Sequence, residues 1–373
     1  MTLPVEVNPL LLSSLGAYTI SRSVRLRSSA SAYFNKTLAS GSTTAWTWSG
    51  WVKRGYLGAN QSCLFFGDST STNYQGLYFT NDNLYLLNRP TAGTNAQLTT
   101  TQVFRDPSAW YHIVAVWDTA NATSGDRLRL YVNGSRITAF STATYPAQNT
   151  ASVINTAIAH EIGATLAASA GSAANLFDGY LSEVNFIDGQ ALTPSSFGET
   201  DAVTGVWKPK KYAGTYGTNG FYLNFSDNSA ATAAAIGKDY SGNGNNWTPN
   251  NISLTAGTTY DSMTDVPTLT SATAANYCVI NPLDGGSASA TTVSDGNLKS
   301  TAPSLWGSNS CTMGVSSGKW YWEQNIVSGS YWYAGIIIGQ SNWSGQGFGQ
   351  MANGYSYYST GQKQNNNTLA SYG

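Results

Sequence analysis

Nine residues constrain this chain more than any others: 110–118 read W-Y-H-I-V-A-V-W-D, with hardly a polar side chain among them. A run of that length, rich in β-branched and aromatic residues, predicts a strand buried on both faces. Its sequel predicts the partner. Residues 127–132, R-L-R-L-Y-V, alternate, so Leu128, Leu130 and Val132 share one face and Arg127, Arg129 and Tyr131 the other. Asn133-Gly134 then supplies a type I′ turn. A central antiparallel pair with one strand covered on both sides requires two packed layers.

The same grammar recurs. Val24 and Leu26 alternate with Arg25 and Arg27; residues 45–54, A-W-T-W-S-G-W-V-K-R, are dense in rings; Asn81-Asp82-Asn83 divides residues 76–80 from 84–87 as a hairpin turn. Residues 177–188 predict a further strand, and Thr193-Pro194 opens one short helical turn through Phe197. Trp51, Trp110 and Trp117 are expected in the core. Strand patterning thins from 201 to 275 and returns at 277–281, 319–326 and 331–338. The expected fold is all-β. An N-terminal arm (1–21) precedes a β-sandwich (22–200), a loop-rich connector (201–275) and a second, partial β-sandwich (276–373).

Composition removes several functions. Charged residues make up 10% of the chain, against roughly 25% in an ordinary soluble domain, and the net charge is −1. Without clustered Lys and Arg there is no electrostatic basis for nucleic-acid binding or for polybasic membrane docking. The longest apolar stretch, near residues 334–339, falls far short of the ~20 residues that span a bilayer, so no membrane insertion is expected. Cys63, Cys278 and Cys311 are an odd count without metal-type spacing and read as unpaired thiols. With 12 Trp, 23 Tyr and 12 Phe, the chain has the rings for a large core.

Residues 110–134 resemble the central hairpin of laminin-G-like domains of the concanavalin A-like lectin/glucanase group. Residues 177–197, F-D-G-Y-L-S-E-V-N-F-I-D-G-Q-A-L-T-P-S-S-F, resemble that group's closing strand and short helix. Residues 318–323 and 335–339 resemble the opening strands of a SPRY domain. The whole arrangement, with N-P-L-L-L near its start, resembles bacteriophage virion proteins. The resemblance implies a virion protein without enzymatic activity, a tail fibre or appendage meeting a host-surface glycan. A capsid decoration or head fibre and a glycan depolymerase stand as the alternatives.

Retaining glycosidases need two carboxyls about 5–5.5 Å apart, and the lectin-like glucanases carry them in an E-x-D-x-E strand. This chain has Glu6, Glu161, Glu183, Glu199 and Glu323 and no such pattern. His112 lies in the most apolar strand and reads as a hydrogen-bonded core histidine. No cofactor is implied save Ca²⁺. At the rim position where the family often carries an acidic ligand stands Asn88-Arg89, whereas Asp239, Asn243 and Asn245 alternate oxygen side chains as a calcium loop does. An Asn/Gly turn is the plain alternative. For glycans, Tyr56, Tyr74, Tyr212 and Tyr216 fall in expected loops, where rings stack on sugars; exposed single tyrosines are also ordinary.

Pro4, Pro9 and Leu10, Leu11 and Leu12 suit burial against other virion proteins better than a sandwich strand. A homo-oligomer, a trimer by analogy with fibres, is expected, in a virion assembled from host cytoplasm without a signal peptide. Strands counted after Gly318 make half a SPRY sandwich, leaving Trp320, Trp322, Ile336 and Ile338 without a facing sheet. Residues 365–373 read as mid-loop sequence, from which a continuation beyond Gly373 is expected.

Overall fold

The computed structural model describes residues 18–58, 62–166, 173–286, 291–302, 307–339 and 348–372. They form two compact units, one running to Tyr277 and one beginning at Cys278. The first is a sandwich of two eight-stranded antiparallel sheets.

The tryptophan-rich sheet runs Ser135–Arg136, Leu128–Val132, Trp110–Asp118, Ala45–Arg54, Gly179–Asp188, Ser23–Leu26, Ser262–Met263, with Phe221–Leu223 also pairing Gly179–Asp188. The expected pair is present, with Ile113 facing Val132 and Trp117 facing Leu128, while Asn133 (φ 47°) and Gly134 (φ 80°) turn the chain from Leu128–Val132 into Ser135–Arg136. The tyrosine-bearing sheet runs Phe140–Thr144, Ala96–Val103, Asn83–Arg89, Asn73–Thr80, Ser62–Thr70, Ala159–Ile162, Tyr33–Thr37, Thr248–Asn250. Asn81 and Asp82 both have positive φ, the geometry of a type I′ turn. Between the sheets lies one core, including Trp46, Trp48, Phe65, Phe79, Trp117, Phe186 and Trp247. Trp46 and Trp117 stack at 6.3 Å. Trp51 and Trp110 are buried on the other face of their sheet, against Tyr180, Trp207 and Met263.

Residues 201–275 are loop-rich, as expected, but they do not form a separate connector. Phe221, Leu223, Phe225, Ile236, Trp247 and Ile252 belong to the sandwich core, and three short strands from this segment extend the sheets. The physical reason is charge. Arg25 and Arg27, on the face opposite Val24 and Leu26, are buried because Asp261 accepts from both at 3.1 and 2.8 Å. Lys53 is fully buried and donates to Asp265 (2.7 Å), Asn276 (2.8 Å) and the Tyr277 carbonyl (2.7 Å). The expected arm falls mostly outside the described residues. Its last residues are seated: Ile20 is buried with Val266 and Ala274, and the Tyr18 hydroxyl donates to Glu183 at 2.7 Å.

The second unit holds a four-stranded sheet, Tyr333–Ile337, Gly354–Tyr358, Gln362–Asn365 and Thr368–Ser371, and two two-stranded pieces. Two expectations fail here. Residues 319–326 are not a strand, and the final residues are not loop: Asn366 and Asn367 take positive φ and turn the chain into a closing strand. Trp320 (66% exposed), Trp322, Ile336 and Ile338 lie at the surface.

Candidate functional site

The outer face of the tyrosine-bearing sheet is where the chain concentrates rings away from the core. Side chains alternate across a strand, so the Ser62–Thr70, Asn73–Thr80 and Asn83–Arg89 strands send every second residue outward. Register aligns them in rows. Asp68, Tyr74 and Arg89 make one row; Glu161, Phe66, Gly76 and Leu87 make the next; Cys63, Tyr78 and Tyr85 make a third. Phe66 stacks on Tyr74 at 5.5 Å, Tyr78 meets Tyr85 at 4.7 Å, and the Arg89 guanidinium lies 5.7 Å from the Tyr74 ring centre. Gly76 makes this possible, since a Cβ there would stand 2.6 Å from the Phe66 ring. Beside the rings opens a recess of about 200 Å³. Asp68, Thr70, Ser71, Thr165 and Asn175 line it along with the rings. Tyr74 was among the expected residues. Phe66, Tyr78 and Tyr85 were not, although Tyr74 and Tyr78 four residues apart, with Tyr85 across the Asn81-Asp82 turn, were a readable same-face signal.

Glu161 is the anomaly of this face. Its side chain is fully buried, and among the described residues neither carboxyl oxygen has a hydrogen-bond partner. Burial, reinforced by the negative charge of Asp68, pushes its carboxyl up to about 9, so it carries a proton at neutral pH. A buried acid that no protein group satisfies is costly to keep, and such groups concentrate at functional sites.

Three other expected residues lie elsewhere in the same unit. Tyr212 and Tyr216 meet edge to face at 5.1 Å beside a shallow depression lined by Gly214, Thr215, Tyr216, Gly217, Thr218, Ser241 and Asn243. Tyr56 belongs to neither recess; it follows the Ala45–Arg54 strand, its N–H bonded to the Asp178 carbonyl at 3.3 Å. The expected calcium loop is a turn held by its own hydrogen bonds. The Asp239 carboxylate accepts from the N–H groups of Tyr222, Ser241 and Asn245, each at 2.8 Å, and from the Ser241 hydroxyl. Asn243 and Asn245 spend their amide N–H groups on the carbonyls of Gly217, Thr218 and Gly220. Among the described residues no three acidic, His or Cys side chains converge on a metal position.

A serine–histidine pair does occur, and its proton sits on the wrong nitrogen for catalysis. Ser49 Oγ lies 2.9 Å from His112 Nε2, while the Trp207 indole N–H donates to Nδ1 at 2.9 Å. An indole can only donate, so Nδ1 is the acceptor and the neutral ring carries its proton on Nε2. That nitrogen donates to Ser49 and cannot take its proton. Burial holds His112 well down, to about 3.

Residues 26–196 match the family model of the concanavalin A-like lectin/glucanases superfamily. No curated protein matches the chain. Similar solved structures include a Bacteroides ovatus protein (15% identity, 62% of this chain, 59% of that one, TM-score 0.40). Another is the CBM40 of the Ruminococcus gnavus IT-sialidase (18% identity, 48% of this chain, 92% of that one, TM-score 0.31). A third is domain 4 of AbnA, a GH43 extracellular arabinanase from Geobacillus stearothermophilus (18% identity, 41% of this chain, 65% of that one, TM-score 0.30). The chain thus spans 59% of the length of the Bacteroides protein. Likeness at this level says nothing about ligand or reaction, and it lends no support to a SPRY-type second unit or a virion setting. The expectation of a chain without enzymatic activity does not stand, because the matched superfamily is named for glucanases as well as lectins. Residues 26–196 form a concanavalin A-like, laminin-G-like β-sandwich domain, a fold shared by lectins and glucanases.

Proposed function

We propose that the sandwich binds a carbohydrate on its tyrosine-bearing face, with Tyr74 stacking on a sugar ring and the recess beside it taking the hydroxyls. The observation that carries this reading is the juxtaposition of the paired rings with Asp68, Thr70, Ser71 and Asn175 around one opening. A sugar offers an apolar face and a rim of hydroxyls, and this surface presents the complement of both. Calorimetry against glycans selected on an array tests it. Tyr74→Ala, checked for an unchanged fold by circular dichroism, should weaken binding about tenfold or more, equivalent to about 1.4 kcal/mol. Undiminished affinity in that variant would remove the site.

One observation favours hydrolysis as a second reading. The matched superfamily is named for glucanases as well as lectins, and the Asp68 carboxyl lines the recess, whereas Glu161 is fully buried and does not reach it. Release of new reducing ends from a bound glycan decides between turnover and binding alone. The setting belongs to the proposal too: a host-surface glycan met from a phage tail fibre, with a capsid position as the other location. What supports it is the resemblance of the chain's arrangement to virion proteins. Labelling intact particles with an antibody to this chain tests it, and unlabelled particles would end it.

A further inference from the structure

We propose that Cys278 and Cys311 form a thiol–disulfide exchange site, closing to an intrachain disulfide when the protein meets a low-molecular-weight disulfide. Both belong to the second unit, and both thiols are exposed. The Ile280–Gly286 strand pairs with Ser308–Cys311, with Ile280 directly opposite Cys311. Pairing continues outward: the Thr312 N–H donates to the Val279 carbonyl at 2.8 Å and the Val279 N–H to the Thr312 hydroxyl at 3.1 Å. Cys278 therefore lies diagonally across from Cys311 on the same face of this ladder. Thr312 also donates its hydroxyl to Cys278 Sγ at 3.8 Å.

That surrounding assigns the roles. The neighbouring Cys311 thiol, then the N–H of Met313 and the Thr312 groups, favour the Cys278 thiolate and draw it below the ordinary thiol range to about 6. Cys311 is pushed up, first because its proton serves that neighbour. A thiolate is the attacking species in exchange. Cys278 Sγ⁻ attacks one sulfur of the small disulfide RSSR, forming Cys278–S–SR and expelling RS⁻. With the negative charge on Cys278 consumed, Cys311 loses its proton to solvent and attacks Cys278 Sγ, expelling the second RS⁻. The two protein thiols give up two electrons and two protons, and RSSR is reduced to two RSH. Cys63 stays out, because burial pushes its thiol far up.

Oxidised glutathione is the probe, added to the full chain at neutral pH and followed by intact and peptide mass spectrometry. The expected result is the loss of two hydrogen atoms, a peptide linking Cys278 to Cys311, and no glutathione retained. Cys311→Ser should stop at a glutathione adduct on Cys278. The wild-type rate should level off near neutral pH rather than climb towards pH 9. Stable adducts on Cys278 and Cys311 without a linked peptide would overturn the proposal, as would modification of Cys63 as fast as Cys278. A chain left unmodified by excess oxidised glutathione would overturn it equally.

Discussion

Glu161 and Lys53 are both fully buried ionisable side chains with opposite treatment. Lys53 has three acceptors within 2.8 Å, whereas Glu161 has no hydrogen-bond partner for either oxygen among the described residues. The acid keeps its proton in the folded state to about 9, against a usual value of 4.5. A folded-state value above the unfolded one contributes stability that is whole below the unfolded value and is lost as pH rises through the folded one. The Glu161 contribution is therefore complete near pH 4 and declines up to about pH 9. Glu161→Met removes the titration and the unsatisfied oxygens at nearly constant volume. We expect the variant to be more stable than wild type by about 1–3 kcal/mol near pH 4, with the gap widening as pH rises towards 9. Urea denaturation across that pH range measures it. A gap that stayed constant with pH would show that Glu161 does not titrate as described. None of this is visible in A-H-E-I, where one acid between a histidine and an isoleucine carries no sign of its surroundings.

Regular elements were legible where their burial depended only on their own pattern. The 110–118 and 127–134 hairpin needs nothing from the rest of the chain to declare its faces. The Gly179–Asp188 strand is different. Alternation along it would put Asp178, Glu183 and Asp188 on alternating faces, but a bulge intervenes: Ser182 faces Trp51 and Asn185 faces Ser49, so three steps on one strand oppose two on the other. Glu183 takes φ 53° at that bulge, and both Tyr18 and Tyr222 donate to its carboxylate at 2.7 Å. Partners 165 and 39 residues away decide where it points, and local patterning cannot supply them. The ring-bearing rows fall between these cases, since Tyr74 was legible alone but the ladder needed the register. Gly76 tests the ladder as an element. Gly76→Ala forces the Phe66 and Tyr78 rings aside, with contacts at 2.6 and 3.0 Å, which should cost about 1–3 kcal/mol. Because Phe66 stacks on Tyr74, glycan affinity should fall with it. Unchanged denaturation midpoint and affinity together would mean that the rings are not locked by the glycine.

At the scale of the whole molecule, the open question is where the sandwich unit stops, and buried charge answers it. The patterned strands end near residue 200, which is why the sequence reads as a domain followed by a connector. Nothing in Ser, Thr and Gly loops shows that Asp261 will neutralise Arg25 and Arg27, or that Asp265 and the Tyr277 carbonyl will receive Lys53. Separated from those partners, three cations would face outward from a sheet whose outer surface also carries Trp51, Trp110 and Tyr180. Removing one partner of a buried pair costs about 3–5 kcal/mol, and a domain's whole stability is about 5–15 kcal/mol. Losing Asp261 and Asp265 together, along with Phe221, Ile236 and Trp247 from the core, therefore exceeds what the remaining sandwich can bear. A chain comprising residues 18–277 should unfold cooperatively on heating, with near-ultraviolet circular dichroism from its packed tryptophans. One comprising residues 18–200 should show neither the cooperative transition nor that signal. A shorter chain that melted as sharply as the longer one would show that the loop-rich segment merely decorates the sandwich, and the burial of Lys53, Arg25 and Arg27 would need another cause.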